Sequence, residues 1–447
     1  GHDGVIGTAR RFTRHTPHGA DVAPSSTWTT TVNTSVLPTC DATAASARSR
    51  APAVGPVTVR STAIVTGARS AGSMARAAAP AAAVGWVGQH RPLMTLLLER
   101  LSAHPAITLE LGTSPPQAAA KLINELGWRD YWQRLWQQLG DGIWRDQEEL
   151  KTGHSAAAYA PTIPADIAEG RTGLACMDGF ITELQSTGWL HNHARMWWAG
   201  YWIHVERLPW ALGADFFYRH LLDADPASNT LSWRWVAGLQ TPGKTYVARA
   251  DNIAHYTDGR HVPQASQLAT AAFPITEPAL PKVAAWTEDS LWINATEGRA
   301  GLWLHPEDLA VERGELSAEK FVAISAAWPK RMAAKAGWSE AVATWTQAAL
   351  RDGAVRAGAH FGADLSCDSS EDLAATLVEW ARKYQLKRVV AFRPFVGPWL
   401  IEAQAIESAL AQAGIAVTWR RRAWDAEHFP HATRGYFPFW ETVKAAG

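Results

Sequence analysis

Cysteine is scarce in this chain: Cys40, Cys176 and Cys367 stand far apart and in no metal-ligand spacing. That argues against a disulfide framework and a Cys-rich zinc or iron–sulfur site, and it fits a reducing compartment. Net charge is missing as well, because 42 Lys and Arg balance 42 Asp and Glu. No global field points to nucleic acid or membrane, although a local basic groove needs only clustered charges. No run of about 18 uncharged apolar residues occurs, so no membrane span is expected. The most apolar stretch, "MWWAGYWIHVERL", is broken by His204, Glu206 and Arg207. The N-terminus lacks a basic-then-apolar secretory pattern, which leaves a cytoplasmic protein as the expectation. No metal is expected, and a monomer is assumed.

The first 85 residues have no Lys, no Glu and one Leu, Leu37. Ala, Ser, Thr, Arg, Gly and Pro dominate, with neither a 3.6 nor a 2 period. Too few large apolar groups are present to offset chain entropy, so residues 1–85 read as a disordered or atypical segment. Residues 86–285 follow with a helical texture. In "SPPQAAAKLINELGWRDYWQRLWQQLG", Leu122, Glu125, Leu126 and Arg129 keep helical spacing. "DPASNTLSWRWVAG" offers Asp225 as N-cap, Pro226 at the first helical position and Gly238 near the stop. Past Trp292 strand and helix alternate: "AGLWLHPEDL", "FVAISAAW", "KRVVAF" and "IAVTWR" read as strands. "EAVATWTQAALRDGAVRAG" and "SSEDLAATLVEWARKYQL" read as helices, the second capped by Ser369 or Ser370. Residues 290–447 therefore predict a doubly wound parallel-sheet domain. The run Arg420–Arg421–Arg422 reads as a solvated strand end. GxGxxG, Walker-type and GxSxG signatures are absent, so the usual dinucleotide, nucleotide and hydrolase readings lack support.

Tryptophan is abundant: 24 in all, eleven of them between Trp128 and Trp235. A large core explains abundance by itself, since indoles bury much area. Position is more informative. "TGWLHNHARMWWAGYWIHVERLPW" places Asn192, Arg195 and Met196 on one helical face. His191 and His193, two apart, diverge and do not suit joint metal ligation. Asp223 and Asp225 sit at a helix start, where backbone N–H groups favour carboxylates. Asp225, Asn229 and Trp233 then follow at i+4 steps, and a carboxamide one turn from an indole suits a polar heterocycle. Capping acids beside core tryptophans are the plainer account of the same residues. Glu125 and Trp128 share a face of the first long helix.

Taken in order, these three patterns resemble the flavin-binding domain of the DNA photolyase/cryptochrome family, over roughly residues 115–260. The resemblance implies an all-helical FAD-binding domain and FAD around Asn192, Arg195, Asp223, Ala224, Asp225 and Asn229. Glu125, Trp128, Asn192, Met196 and Trp235 are implied to face a flipped-out pyrimidine dimer. Trp233 and Trp210 are implied to be the first two members of an electron-transfer chain, with Trp144 as a guess for the third. The C-terminal α/β region, from "GLWLHPEDLAVERGELS" to "HATRGYFPFWE", resembles the family's antenna domain, which elsewhere precedes the flavin domain. A second chromophore of unknown identity is implied there. The implied activity is light-driven splitting of cyclobutane pyrimidine dimers in damaged DNA; a blue-light sensor without repair is the alternative. The family's phosphate-gripping segment upstream of the Glu–Trp motif is not found, "RLSAHPAI" keeping fragments only. "YVARADNIAHYTDG" also departs from the usual Phe–Asn–Pro.

Overall fold

The computed structural model describes residues 116–139, 163–240, 244–275, 298–394, 397–433 and 435–446. Helices come first: α1 (Pro116–Leu139), α2 (Ala165–Ala168), α3 (Ala175–Thr187), α4 (Asn192–His204), α5 (Trp210–His220), α6 (Pro226–Val236) and α7 (Ala250–Tyr256). The α/β part follows: β1 (Ala300–Trp303), β2 (Ala323–Ser325), β3 (Trp328–Pro329), α8 (Lys330–Ala336), α9 (Glu340–Phe361), β4 (Asp364–Ser366), β5 (Ser369–Ser370), α10 (Leu373–Lys383), β6 (Arg388–Phe392), α11 (Pro398–Gln412), β7 (Ala416–Arg420), α12 (Ala423–His428) and α13 (Tyr436–Ala446).

The helical core is aromatic. Trp197, Trp198 and Trp202 of α4 are at most 1 % exposed and pack with Phe180, Phe216, Phe217 and Trp233. Close approach of α5 to this cluster requires Gly213: a Cβ there would lie 2.3 Å from the Trp233 ring. Helix α6 starts as its Asp-Pro signal demands. The Asp225 carboxylate accepts the N–H groups of Ala227 at 3.0 Å and Ser228 at 3.1 Å, and Gly238 (φ 80°) follows the helix end.

Five parallel strands run in the order β4-β2-β1-β6-β7, so β1 is central and the chain winds outward both ways. This is the doubly wound arrangement expected of strand–helix alternation. Two local expectations are corrected here. Helix α10 is capped by Asp372, whose carboxylate accepts Ala375 N–H at 3.0 Å. Ser369 and Ser370 instead form β5, paired with β3. Nor is the arginine run a solvated strand end. Arg422 is 1 % exposed, holds Asp308 through two bonds of 2.7 Å, and lies 4.3 Å from the centre of the Phe392 ring.

The helical and α/β parts meet directly. Ser339 N–H donates to Arg219 O at 2.8 Å, Tyr218 meets Trp338 edge-on, and Arg134 pairs with Asp425. Helix α13 returns to α1, where a Cβ on Gly127 would stand 2.5 Å from the Trp440 ring. Among the described residues no helix is long and apolar enough to cross a membrane, and no cluster of His, Cys, Asp or Glu is placed to hold a metal.

Candidate functional site

Where α6 begins, the chain makes a tight turn through Asp223, Ala224 and Asp225. Ala224 takes φ 41°, in the left-handed region that alanine seldom adopts. This turn lines a small recess, walled by Arg129 of α1, Tyr218 of α5, and Glu307, Trp338 and Trp399 of the α/β part.

Asp225 is the organising group. Its side chain is 2 % exposed, and it accepts the α6 cap bonds, Ser228 Oγ at 3.1 Å and Gln133 Nε2 at 3.3 Å. Arg129 Nε pairs with it at 2.8 Å. The Nη1 of Arg129 is buried without a hydrogen-bond partner, so the recess keeps one donor of positive charge. Burial pushes the Asp223 carboxyl above the usual carboxylate range; Arg195 opposes this, Asp225 reinforces it and Arg129 opposes it. The Arg195 guanidinium is lowered by the same desolvation, with Asp223 acting against it. Each guanidinium therefore supports one of the two acids. Arg195 also donates Nε–H to Leu190 O at 2.8 Å, which holds it at the start of α4.

The other expected residues are distributed as follows. Asn229 donates its amide to Ala214 O at 2.6 Å, and Asn192 is exposed at the first turn of α4. Trp233 is buried against Trp202, with ring centres 6.0 Å apart, and against Phe217 at 5.1 Å. Trp210 is buried with the Arg234 guanidinium 5.3 Å from its ring centre. Trp235 is half-buried and stacks on Tyr246, and Met196 is half-buried on α4. Trp128 stacks face to face on Tyr436 of α13, with ring centres 3.7 Å apart and planes 14° apart. The side chain of Glu125, and the whole of Trp144, lie outside the described residues. The structure thus brings Asp223, Ala224 and Asp225 to one recess and couples Arg195 to it; Met196, Trp210, Trp235 and Asn192 do not line it. Arg129, Gln133, Tyr218 and Trp338 were not singled out from the sequence. Arg129 and Gln133 share a helical face by their i, i+4 spacing, but only the fold brings Asp225 to both.

A family model described as the FAD binding domain of DNA photolyase matches residues 122–265, which include α2 to α7 and most of α1. By this match the helical region is similar to the FAD-binding domain of the DNA photolyase/cryptochrome family. A deoxyribodipyrimidine photo-lyase of Streptomyces griseus is 29% identical over 143 residues, covering 29% of this chain and 31% of that protein. One of Thermus thermophilus is 33% identical over 132 residues, with 29% and 31% covered. Cryptochrome-1 of Arabidopsis thaliana is 38% identical over 84 residues, 19% of this chain and 12% of that protein. The chain thus spans less than a third of the length of these curated relatives. No solved structure matches the chain. The recess at the start of α6, whose walls come from both the matched region and the α/β part, is the place to test for the flavin. Its carboxylates accept, its guanidinium Nη1 donates, and that mixed set fits the alternating carbonyl and N–H groups along the polar edge of an isoalloxazine ring.

Proposed function

We infer that the helical region binds FAD at the Asp223–Asp225 turn and uses light to split cyclobutane pyrimidine dimers in DNA. The observation that supports this most is the convergence of Arg129, Asp223, Ala224 and Asp225 on one recess, with Arg195 coupled to Asp223. When bound in its reduced form, the flavin supplies one electron to the dimer under light. The protein's share is positioning. Asp225 is held by Arg129, Gln133 and two backbone N–H groups, so its carboxylate does not reorganise when a ligand arrives. Asp223, raised by burial, gains most from a ligand N–H or a shared proton, because hydrogen bonding offsets its desolvation. Asn229 spends its amide on Ala214 O, which leaves its carbonyl oxygen for a donor. Met196, Trp235 and Glu125 remain the proposed walls of the base pocket, which must replace the stacking partners of extruded bases. Trp233 and Trp210 remain the proposed relay, and the Arg234 cation beside Trp210 would make oxidation of that indole harder. The α/β region is proposed to stand in the antenna domain's place after the flavin domain, with a second chromophore of unassigned identity.

The sensor reading is favoured by one specific observation. Both Trp128 and Trp235 already carry aromatic partners, Tyr436 and Tyr246, on a ring face that a base would use. The absorption spectrum of the purified protein tests the shared premise: absence of a releasable flavin band sinks both readings. Illumination with UV-damaged oligothymidylate under reducing conditions then separates them. Loss of dimers supports repair, and persistence of dimers in a flavin-loaded preparation puts the sensor ahead. Asp223→Ala should lower flavin content, whereas Glu125→Ala should slow repair and leave flavin content intact.

A further inference from the structure

At the N-terminal end of α4 aromatic rings form a near-parallel column. His191 and His193 stack with centres 5.3 Å apart and planes 13° apart. His193 and Tyr256 stack at 4.0 Å and 19°, and His193 meets Trp197 at 5.7 Å and 26°. Trp189 abuts His191 edge-on at 6.2 Å. The base of the column is rigid. Trp197 is 1 % exposed, and its indole N–H donates to Asn252 Oδ1 at 2.8 Å, which ties α4 to α7. His191 caps α4, accepting His193 N–H on Nδ1 at 3.2 Å, so its ring is held as well. The outer end is wet: His191 is exposed, and Tyr256 is 47 % exposed.

The buried rings of the helical core meet mainly tilted or edge-on, Trp198 with Trp202 at 40° and Trp202 with Trp233 at 82°. The column differs in being near-parallel and in reaching solvent at His191 and at Tyr256, whose ring is also met edge-on by His255 at 4.8 Å. Flat faces suit another flat ring. Every nucleobase has a π-face, and base–aromatic stacking on such platforms is tolerant of sequence. The column contains no carboxylate that would repel a phosphate backbone. The nearby Asp251 is held by Arg249. Arg260 lies four residues after Tyr256, past the end of α7, with Asp258 between them.

We propose that the His191–His193–Tyr256 column is a stacking platform for unpaired nucleobases of single-stranded DNA, holding the strand beside Asn192. This rests on the reading that DNA is the partner, and it adds contact residues which that reading did not contain. The test uses the full-length protein in the dark, with labelled undamaged oligothymidylate followed by fluorescence anisotropy. Unlabelled single strand should compete better than a duplex of equal length. Tyr256→Ser and His193→Ala should each weaken binding by about tenfold, the loss of one stacked ring. Tyr256→Phe should bind within about twofold of the parent. Tyr256 is half exposed, so its variants should fold, and an unchanged circular dichroism spectrum checks this. The salt slope of log Kd should be the same in Tyr256→Ser and the parent, because an uncharged contact is lost. No binding by the parent, unchanged affinity of Tyr256→Ser, or a slope reduced by about one charge, as for a lost phosphate contact, would each overturn the proposal. The measurement needs neither flavin nor light, so it can fail or succeed independently of dimer splitting.

Discussion

Asp225 carries two tasks that two substitutions can separate. Its carboxylate caps α6 and neutralises Arg129, whose side chain is 11 % exposed against 2 % for the acid. Removing an N-cap costs about 1 kcal/mol, with a range of about 0.5–2. Removing one partner of a buried ion pair costs roughly 3–5 kcal/mol, because the other charge stays buried and uncompensated. Asn caps about as well as Asp, so Asp225→Asn keeps the first task and loses only the charge. We expect Asp225→Asn to lose about 3 kcal/mol and Asp225→Ala about 1 kcal/mol more, the cap being the difference. The carboxylate is shared between the tasks, so the two costs need not add in full. Urea unfolding followed by tryptophan fluorescence reads both, since five buried tryptophans, Trp233 of α6 among them, pack in the helical core. If both variants lose less than about 1 kcal/mol, the Arg129–Asp225 pair behaves like a surface pair and the reasoning is wrong. Equal losses in the two would refute the capping part alone. Arg129→Met is the complementary variant: it leaves the cap intact and places an apolar chain where the guanidinium lay.

Three further outcomes follow from the geometry. Ala224→Gly should gain about 1 kcal/mol, because glycine takes φ 41° without the left-handed penalty; a lower melting temperature would count against strain at this turn. Gly213→Ala should lose about 1–2 kcal/mol despite better helix propensity, because the new Cβ meets the buried rings of Trp233 and Trp202 at 2.3 and 3.0 Å; a stabilised variant would mean that the rings can yield. His305 is buried, with Nε2 2.6 Å from Phe392 O and Nδ1 accepting Glu307 N–H at 3.2 Å, an arrangement that the neutral ring satisfies on both nitrogens. Burial pushes its pKa below the ordinary value, outweighing the opposite effects of Phe392 O and Asp308. A folded-state pKa below the unfolded one gives stability that is present above pH of about 6.5 and lost as pH falls toward the folded pKa. His305→Gln should therefore flatten the stability–pH curve between neutral and mildly acid pH, and an unchanged slope would show that another group titrates there.

What could be read from the sequence divides along the range of the interaction. The Asp225–Pro226 start of α6 was legible because cap, proline and first turn are neighbours in the chain, and the structure places the cap as expected. The strands ending in Trp303, Phe392 and Arg420 were legible because alternation with helices is a local pattern. Trp197, Trp198 and Trp202 read as core by type alone, and they are core. Failures begin where a distant partner chooses between two local options. Ser369, Ser370 and Asp372 are all adequate caps for α10; pairing of β5 with β3 removes the serines and leaves Asp372.

The arginine run makes the same point about charge. Three consecutive arginines at a strand end are chemically alike, and composition assigns them all to water. The loop after β1 decides otherwise by bringing Asp308 within 2.7 Å of Arg422, while Arg420 finds Glu319 at 2.8 Å on a different side. A buried guanidinium with its carboxylate, two backbone carbonyls and a ring face is then satisfied, and the fold tolerates it. Arg129 follows the same rule in the helical part. Nothing next to it in the chain distinguishes it from a solvent-facing arginine; Asp225, from a helix far along the sequence, turns it into a wall of the recess. The proposed flavin site is therefore half local and half long-range. The acids and their turn are written in one short segment, but the cations that make two buried carboxylates tolerable come from α1 and α4, and only folding brings them there.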